Sequence, residues 1–195
     1  MLSYDESLKI LKDTNALQQG HFILSSGLHS KEYVQCAKLL SYPKAAQSIC
    51  NSLVEKINNN LKKIDLILAP AIGGIVVGYE IGRQLNIQTI FSERVNEKLI
   101  LRRGFSIPSK SNVLIVEDVI TTGKSALECN NLIEDNDANL VGFACIIDRS
   151  KNIKLNDKKI ISQIKFQILT YTEDNLPEDL KKIKPNKPGS KNLNT

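Results

Sequence analysis

Apolar positions at the start of the chain follow a helical period. Tyr4, Leu8 and Leu11 recur behind Ser3, a residue suited to an N-cap, and Ala46, Ile49, Leu53 and Ile57 repeat the pattern after Ser41 and Pro43. Two amphipathic helices are therefore expected in this region. Residues 20–33 mix β-formers with turn residues, which suits a short extended arm or hairpin. From residue 64 the pattern changes to short apolar runs at 64–69, 87–91, 113–116 and 140–147, each the length of a strand buried on both faces. In the intervals, Ile75, Tyr79 and Gly82 share one helical face, and Ala126, Cys129 and Ile133 share another. Alternation of this kind predicts an α/β domain built on a parallel sheet. Neither an internal repeat nor a linker divides it, so residues 1–180 are expected to form one domain.

Composition is that of an ordinary soluble protein, 195 residues with 42% hydrophobic and 24% charged content. Its net charge of +5 suggests a nucleic-acid partner until the charge is located. Lys181, Lys182, Lys184, Lys187 and Lys191 lie in a final segment without acids, and without them residues 1–180 are formally neutral. Charge thus predicts a solvated basic tail over 181–195 rather than a nucleic-acid-binding face. The chain has no run of about 18 apolar residues and no basic-then-apolar leader, which predicts a cytoplasmic protein without a membrane span. Cys36, Cys50, Cys129 and Cys145 are widely spaced, and His21 and His29 are the only imidazoles. That spacing argues against a zinc site or a disulfide frame. Cys129 and Cys145 are expected to act as small hydrophobes, and the two histidines as hydrogen-bonded or solvated loop residues.

The richest chemistry lies in Val116-Glu117-Asp118-Val119-Ile120-Thr121-Thr122-Gly123-Lys124-Ser125. A buried strand leads into two acids, a polar turn and a helix, and parallel sheets bind ligands at such carboxyl ends. Hydroxyls and backbone N–H groups from Thr121 to Ser125 suit a phosphate at a helix N-terminus. Gly123-Lys124-Ser125 matches the end of a nucleotide-triphosphatase loop, but Asp118 stands where that motif requires glycine. Nor do Gly73, Gly74 and Gly78 have dinucleotide-fingerprint spacing. Paired carboxylates would repel a threaded polyphosphate, whereas they can accept hydrogen bonds from a ribose diol or help hold a divalent cation.

These ten residues resemble the phosphoribosyl-diphosphate signature of type I phosphoribosyltransferases. The arm from Gly20 through Phe22, Leu24, Ser26, Gly27 and Ser30 to Tyr33 is similar to the base-covering region of orotate phosphoribosyltransferases. So are the small-residue stretch from Ala69 to Gly74, the segment from Phe91 to Phe105 and the Asp148-Arg149 pair. The resemblance implies a type I fold: a central, mostly parallel sheet flanked by helices, with a small hood from about residues 1–40. It implies transfer of phosphoribosyl from 5-phosphoribosyl-1-diphosphate to orotate, a pentosyltransferase step of pyrimidine synthesis. Glu117 and Asp118 would bind the ribose hydroxyls and Thr121 through Ser125 the 5-phosphate, with Val119 and Ile120 also part of the phosphoribosyl-diphosphate site. Gly73 and Gly74 would lie against diphosphate, and Thr121 and Arg149 would bind orotate. Arg94, Lys98, Arg102 and Arg103 would belong to a mobile catalytic loop, with Asp118 also catalytic. Mg2+ is the implied cofactor, held without a dedicated protein cage, and the implied assembly is a homodimer sharing those loops.

Three positions depart from the family pattern. Many orotate enzymes have lysine where this chain has Ser25 and Gly73, and their jobs would pass to Lys31, Arg94 or Lys98. Arg103 stands where a better-known form of the loop has histidine. The alternatives left open are a purine or uracil phosphoribosyltransferase, or a regulator of the same fold that senses phosphoribosyl diphosphate and binds nucleic acid. Tyr33 is open to two readings, a face against the base or simple packing.

Overall fold

The computed structural model describes residues 1–24, 26–150 and 155–188. Ser25 and the end of the basic tail lie outside the described residues. The chain runs α1 (Tyr4–Asp13), β1 (Leu17–Ile23), β2 (His29–Val34), α2 (Cys36–Leu40), α3 (Pro43–Asn60) and β3 (Leu66–Pro70). It continues through α4 (Gly73–Leu85), β4 (Thr89–Val95), β5 (Lys98–Leu101), β6 (Asn112–Ile120), α5 (Lys124–Glu134) and β7 (Asn139–Asp148). β8 (Ile160–Lys165), β9 (Thr170–Tyr171) and α6 (Glu178–Lys181) complete it. Ser3 caps α1 through a capping box: its hydroxyl accepts from Glu6 N, and Glu6 accepts from Ser3 N at 2.7 Å. Pro43 opens α3 at a first-turn position where its missing N–H leaves no bond unmade.

The main sheet has the order β5-β4-β3-β6-β7-β8, parallel except for the β4–β5 pair. Alternation along β3 and β6 supplies two cores. Ile67, Leu114 and Val116 pack with Val77 and Ile81 of α4 and with Ile49, Leu53 and Ile57 of α3. Leu66, Leu68, Val113 and Ile115 pack on the opposite face with Ala126, Cys129 and Ile133 of α5. The expected α5 face is thus the buried one. For α4 it is not: the buried residues are Gly74, Val77, Gly78, Ile81 and Gly82, while Tyr79 is 65% exposed. Glycines decide this orientation, because a Cβ on Gly78 would lie 2.8 Å from the Ala69 Cβ. The helix lies glycine face down, which turns the next residue outward.

A second sheet of three strands, β1-β2-β9, forms the hood. Its β1–β2 hairpin is the expected arm, but its membership differs from the N-terminal 1–40 expected. β9 arrives from far along the chain, whereas Leu11 of α1 and Cys36 and Leu39 of α2 are buried in the main core. The tail also differs. Asn186 is hydrogen-bonded in both directions to β1, so the described part of this segment is attached to the hood rather than free of it. All four cysteines are buried free thiols. Among the described residues no helix is long and apolar enough to cross a membrane.

Candidate active site

The chain leaves β3 through α4 to reach β4 on one side, then returns to lay β6 on the other side of β3. A crevice therefore opens between the carboxyl ends of β3 and β6, where connections depart in opposite directions. From β3 come Pro70, Ala71 and Ile72, with a cis Ala71–Ile72 peptide bond, and then the first turn of α4. From β6 come the acidic pair and the turn into α5. β7 ends alongside at Asp148, and Arg149 N donates to the Ile120 carbonyl at 2.8 Å.

β6 runs to Ile120, longer than the 113–116 expected, so Glu117 and Asp118 lie within the strand. Glu117 pairs in register with Cys145 of β7, and Ile120 with Asp148. Consecutive strand residues face opposite ways. Asp118 is directed at the first turn of α4, so that a Cβ on Gly73 would lie 2.6 Å from its carboxylate. Lysine in place of Gly73 would collide with this arrangement.

Both acids hold their protons unusually tightly. Burial, and then the neighbouring charge of Asp118, pushes the Glu117 carboxyl up to about 8. Burial also raises Asp118, partly opposed by hydrogen bonds from backbone N–H groups. Among the described residues, Glu117 Oε1 is buried without a hydrogen-bond partner, and so is Arg149 Nε. Burial lowers the Arg149 pKa, opposed by Tyr33 and Cys36. Tyr33 in turn feels the charges of Arg149 and Asp118. The crevice thus gathers a carboxylate pair, a guanidinium with an unused donor and a tyrosine, with buried polar atoms awaiting a ligand.

Beyond β6, Thr121 and Thr122 are exposed and Gly123 is buried in the left-handed region at φ 73°. A Cβ on Gly123 would lie 2.5 Å from Leu155, so both backbone angle and space call for glycine there. α5 begins at Lys124, and its first-turn N–H groups, with no preceding turn to donate into, face the loop. Thr122 Oγ1 accepts one of them, from Lys124 N at 3.4 Å. Loop hydroxyls, helix dipole and glycine conformation make an anion cradle beside the acids.

The cations from 94 to 103 are placed elsewhere. They sit on the β4–β5 hairpin, turned by Asn96 and Glu97 at φ 47° and 66°, the conformation of a tight two-residue hairpin turn. β5 is the sheet edge, with β4 and β3 between it and β6. Arg103 makes a two-point contact with Glu93 at 2.7 and 3.2 Å, and Arg102 approaches the same carboxylate at 3.7 Å. Arg94 forms a 2.8 Å ion pair with Glu128 of α5, without hydrogen-bond geometry, while Lys98 is exposed. Lys31 is bonded to Asp179 at the hood. The structure brings together the acids, the hydroxyl-rich turn and Arg149 that the sequence singles out, and adds the Gly73–Asp118 contact, which only the crossing of α4 over the end of β6 creates.

Comparison with known proteins fits this geometry to a class. Residues 39–175 match the phosphoribosyl transferase domain family, so the chain belongs to the phosphoribosyltransferases and has their fold. The chain is 43% identical over 190 residues to the orotate phosphoribosyltransferase of Methylorubrum extorquens, covering 97% of both proteins. It belongs to the orotate phosphoribosyltransferase family. The crystal structure of the Aeropyrum pernix orotate phosphoribosyltransferase shares its fold, with a TM-score of 0.71 at 22% identity over 81% of this chain and 92% of that one. An adenine phosphoribosyltransferase from Thermoanaerobacter pseudethanolicus also superposes, with a TM-score of 0.61 at 19% identity over 69% of this chain and 88% of that one. Fold alone therefore leaves the choice of base to the side chains of the site.

Proposed function

We propose that this protein transfers the phosphoribosyl group of 5-phosphoribosyl-1-diphosphate to orotate, giving orotidine 5-phosphate and diphosphate. The observation that carries the choice of base is Arg149, a partly desolvated guanidinium with an unpartnered Nε at the end of β7, beside Tyr33 and the acidic pair. A carboxylate on the base supplies the partner that a desolvated guanidinium requires. Thr121 follows β6 as Arg149 follows β7, and the two ends are joined by the Arg149 N–H bond to the carbonyl of Ile120.

In this reading the 5-phosphate rests in the cradle from Thr121 to Ser125 and the ribose hydroxyls meet Glu117 and Asp118. Diphosphate lies toward Gly73 and Gly74. The bond from C1 to the diphosphate oxygen breaks as orotate N1 bonds to C1, and the N1 proton passes to the released diphosphate or to solvent. The ribose passes through a cationic, oxocarbenium-like state, positioned by hydrogen bonds between its hydroxyls and the two acids. Mg2+ fits as the cofactor because, among the described residues, Glu117 has an unpartnered carboxylate oxygen and lies within electrostatic reach of Asp118. Few protein carboxylates and several substrate oxygens are its usual ligands. When bound, it would neutralise charge on the departing diphosphate.

The hairpin cations Arg94, Lys98, Arg102 and Arg103 are assigned to diphosphate in a homodimer, where one chain's hairpin serves its neighbour's crevice. Two features support that assignment: β5 is a free sheet edge, and α4 presents Ile72, Val76 and Tyr79 at 85%, 49% and 65% exposure. A cytoplasmic setting suits four reduced, buried cysteines. Arg149→Ala tests the base assignment. Losing one partner of a buried charge pair is worth about 2–5 kcal/mol, so the Michaelis constant for orotate should rise roughly 30-fold or more. The constant for phosphoribosyl diphosphate should stay nearly fixed, and an unchanged orotate constant would remove the argument for orotate.

A further inference from the structure

The hood contains two buried histidines that the proposed chemistry does not use. His21 and His29 are 4% and 7% exposed, and His21 Nε2 lies 2.7 Å from His29 Nδ1. The other nitrogen of His21, Nδ1, is 2.8 Å from the carbonyl oxygen of Ile183. A carbonyl only accepts, so His21 Nδ1 carries a proton and donates it to the C-terminal segment. In the neutral ring Nε2 is then the acceptor, and His29 Nδ1 donates to it.

Three residues on, Asn186 continues the attachment. Its N–H donates to the His21 carbonyl at 2.8 Å, and its own carbonyl accepts from Ile23 N at 2.8 Å, giving a parallel bridge opposite Phe22. This contact falls where β1 needs it. The β1–β2 register is continuous over Leu17, Gln18 and Gln19, then shifts before Phe22, so a bulge interrupts the ladder around Gly20 and His21. β1 is also the outer strand of the hood, and an open strand edge is a weak place in a small sheet. The 183–186 segment closes that edge at the weakened point.

What it holds is directed at the site. The two Asn186 bonds straddle Phe22, whose ring lies 5.6 Å from the ring of Tyr33. Three residues beyond Tyr33, Cys36 Sγ lies 3.9 Å from the carbonyl oxygen of Asp118, which places this end of β2 against the site. We infer that residues 183–186 are a strap that fixes β1 through Asn186 and His21, and through Phe22 and Tyr33 sets the position of the hood over a carboxylate-bearing base at Arg149. Asn186 and His21 are positioning residues for that base. The inference rests on the reading of Arg149 given above.

The test compares the full chain with chains ending after Lys182 and after Pro188, and with His21→Phe and Asn186→Pro. The last two keep the test open if the shortest chain fails to fold. Orotate and phosphoribosyl diphosphate constants are measured together with melting temperature, hydrogen exchange at Ile23 N–H and the proton resonance of the His21 Nδ1–H. Loss of one such hydrogen bond is worth roughly 1–3 kcal/mol. The chain ending after Lys182, His21→Phe and Asn186→Pro should therefore raise the orotate constant about 5- to 100-fold. The phosphoribosyl diphosphate constant should change less than about twofold, and the chain ending after Pro188 should behave as the full chain. Equal changes in both constants, or no change in either, would overturn the positioning role. Rapid exchange at Ile23 in the full chain would overturn the strap itself, whatever base is used. Absence of orotate turnover in the full chain, with Ile23 protected, would instead count against the choice of base and, with it, the positioning role.

Discussion

Glu117→Gln should make the protein's stability less sensitive to alkali, by an amount set by the burial of that one carboxyl. The ordinary value for the group is 4.5, and in the folded chain it is pushed up to about 8 by burial and by the charge of Asp118. The folded state therefore binds this proton more tightly than the unfolded state. Stability from this group is complete below about pH 4.5, falls as pH rises, and levels off above about pH 8. Each tenfold difference in proton affinity is worth about 1.4 kcal/mol. Integrating between about pH 6 and about pH 9 gives a loss of about 2–3 kcal/mol in the parent that the glutamine variant lacks. For a domain of this size that is a differential shift of about 5–10 °C in melting temperature. Urea unfolding of both proteins at several pH values measures it. The slope of the difference carries the result, because an amide against the same unpartnered surroundings adds an offset that does not depend on pH, and titrations common to both proteins cancel. Parallel stability curves would show that Glu117 is ionised in the folded chain at neutral pH and would refute the burial argument.

Other predictions follow from neighbouring features. Asp118→Asn should lower kcat/KM roughly 10²- to 10³-fold, as removal of one preorganised charge-stabilising group does, with an unchanged far-ultraviolet circular dichroism spectrum. Near-normal rates would contradict the role given to the pair. Gly82→Ala should lower stability by about 1–3 kcal/mol in urea titration, since its Cβ would meet the Thr89 side chain and lie 2.8 Å from the Ile87 carbonyl. The helix propensity gained, about 1 kcal/mol, is smaller, and a net gain in stability would show that α4 can lift from the sheet. Ser3→Ala should cost about 1 kcal/mol by removing the capping box of α1, read from the same titration.

The features legible in the sequence are those written by local physics. Ser3 announced α1, Pro43 the start of α3, and the apolar runs marked the buried strands β3, β6 and β7; the 87–91 run marks only the start of β4, which is buried at Ile90 and Ser92 alone. Thr121 to Ser125 at the start of α5 were readable because a hydroxyl-rich turn before a helix has little other use. Features set by distant contacts were not readable. Tyr79 has the spacing of a core residue, but Gly78 and Gly82 bring α4 so close to β3 and β4 that the glycines take the inner face. Apolar character fades after Val116, yet pairing with β7 carries β6 to Ile120 and places both acids inside the strand. The hood joins residues 17–34 to 170–171 and to Asn186, contacts across most of the chain's length that leave no periodic trace. The charged 93–104 segment is legible as a catalytic loop only by resemblance; in the structure Asn96 and Glu97 turn it as a hairpin, with Glu93 holding Arg102 and Arg103.

The most direct measurement is a spectrophotometric comparison of bases. The purified protein is given phosphoribosyl diphosphate and Mg2+ with orotate, uracil or adenine, and loss of the base is followed together with release of diphosphate. Orotate alone should be consumed, one diphosphate appearing for each orotate lost. Turnover of uracil or adenine at a comparable rate, or none of orotate, would contradict the assignment of Arg149 and of the protein's substrate.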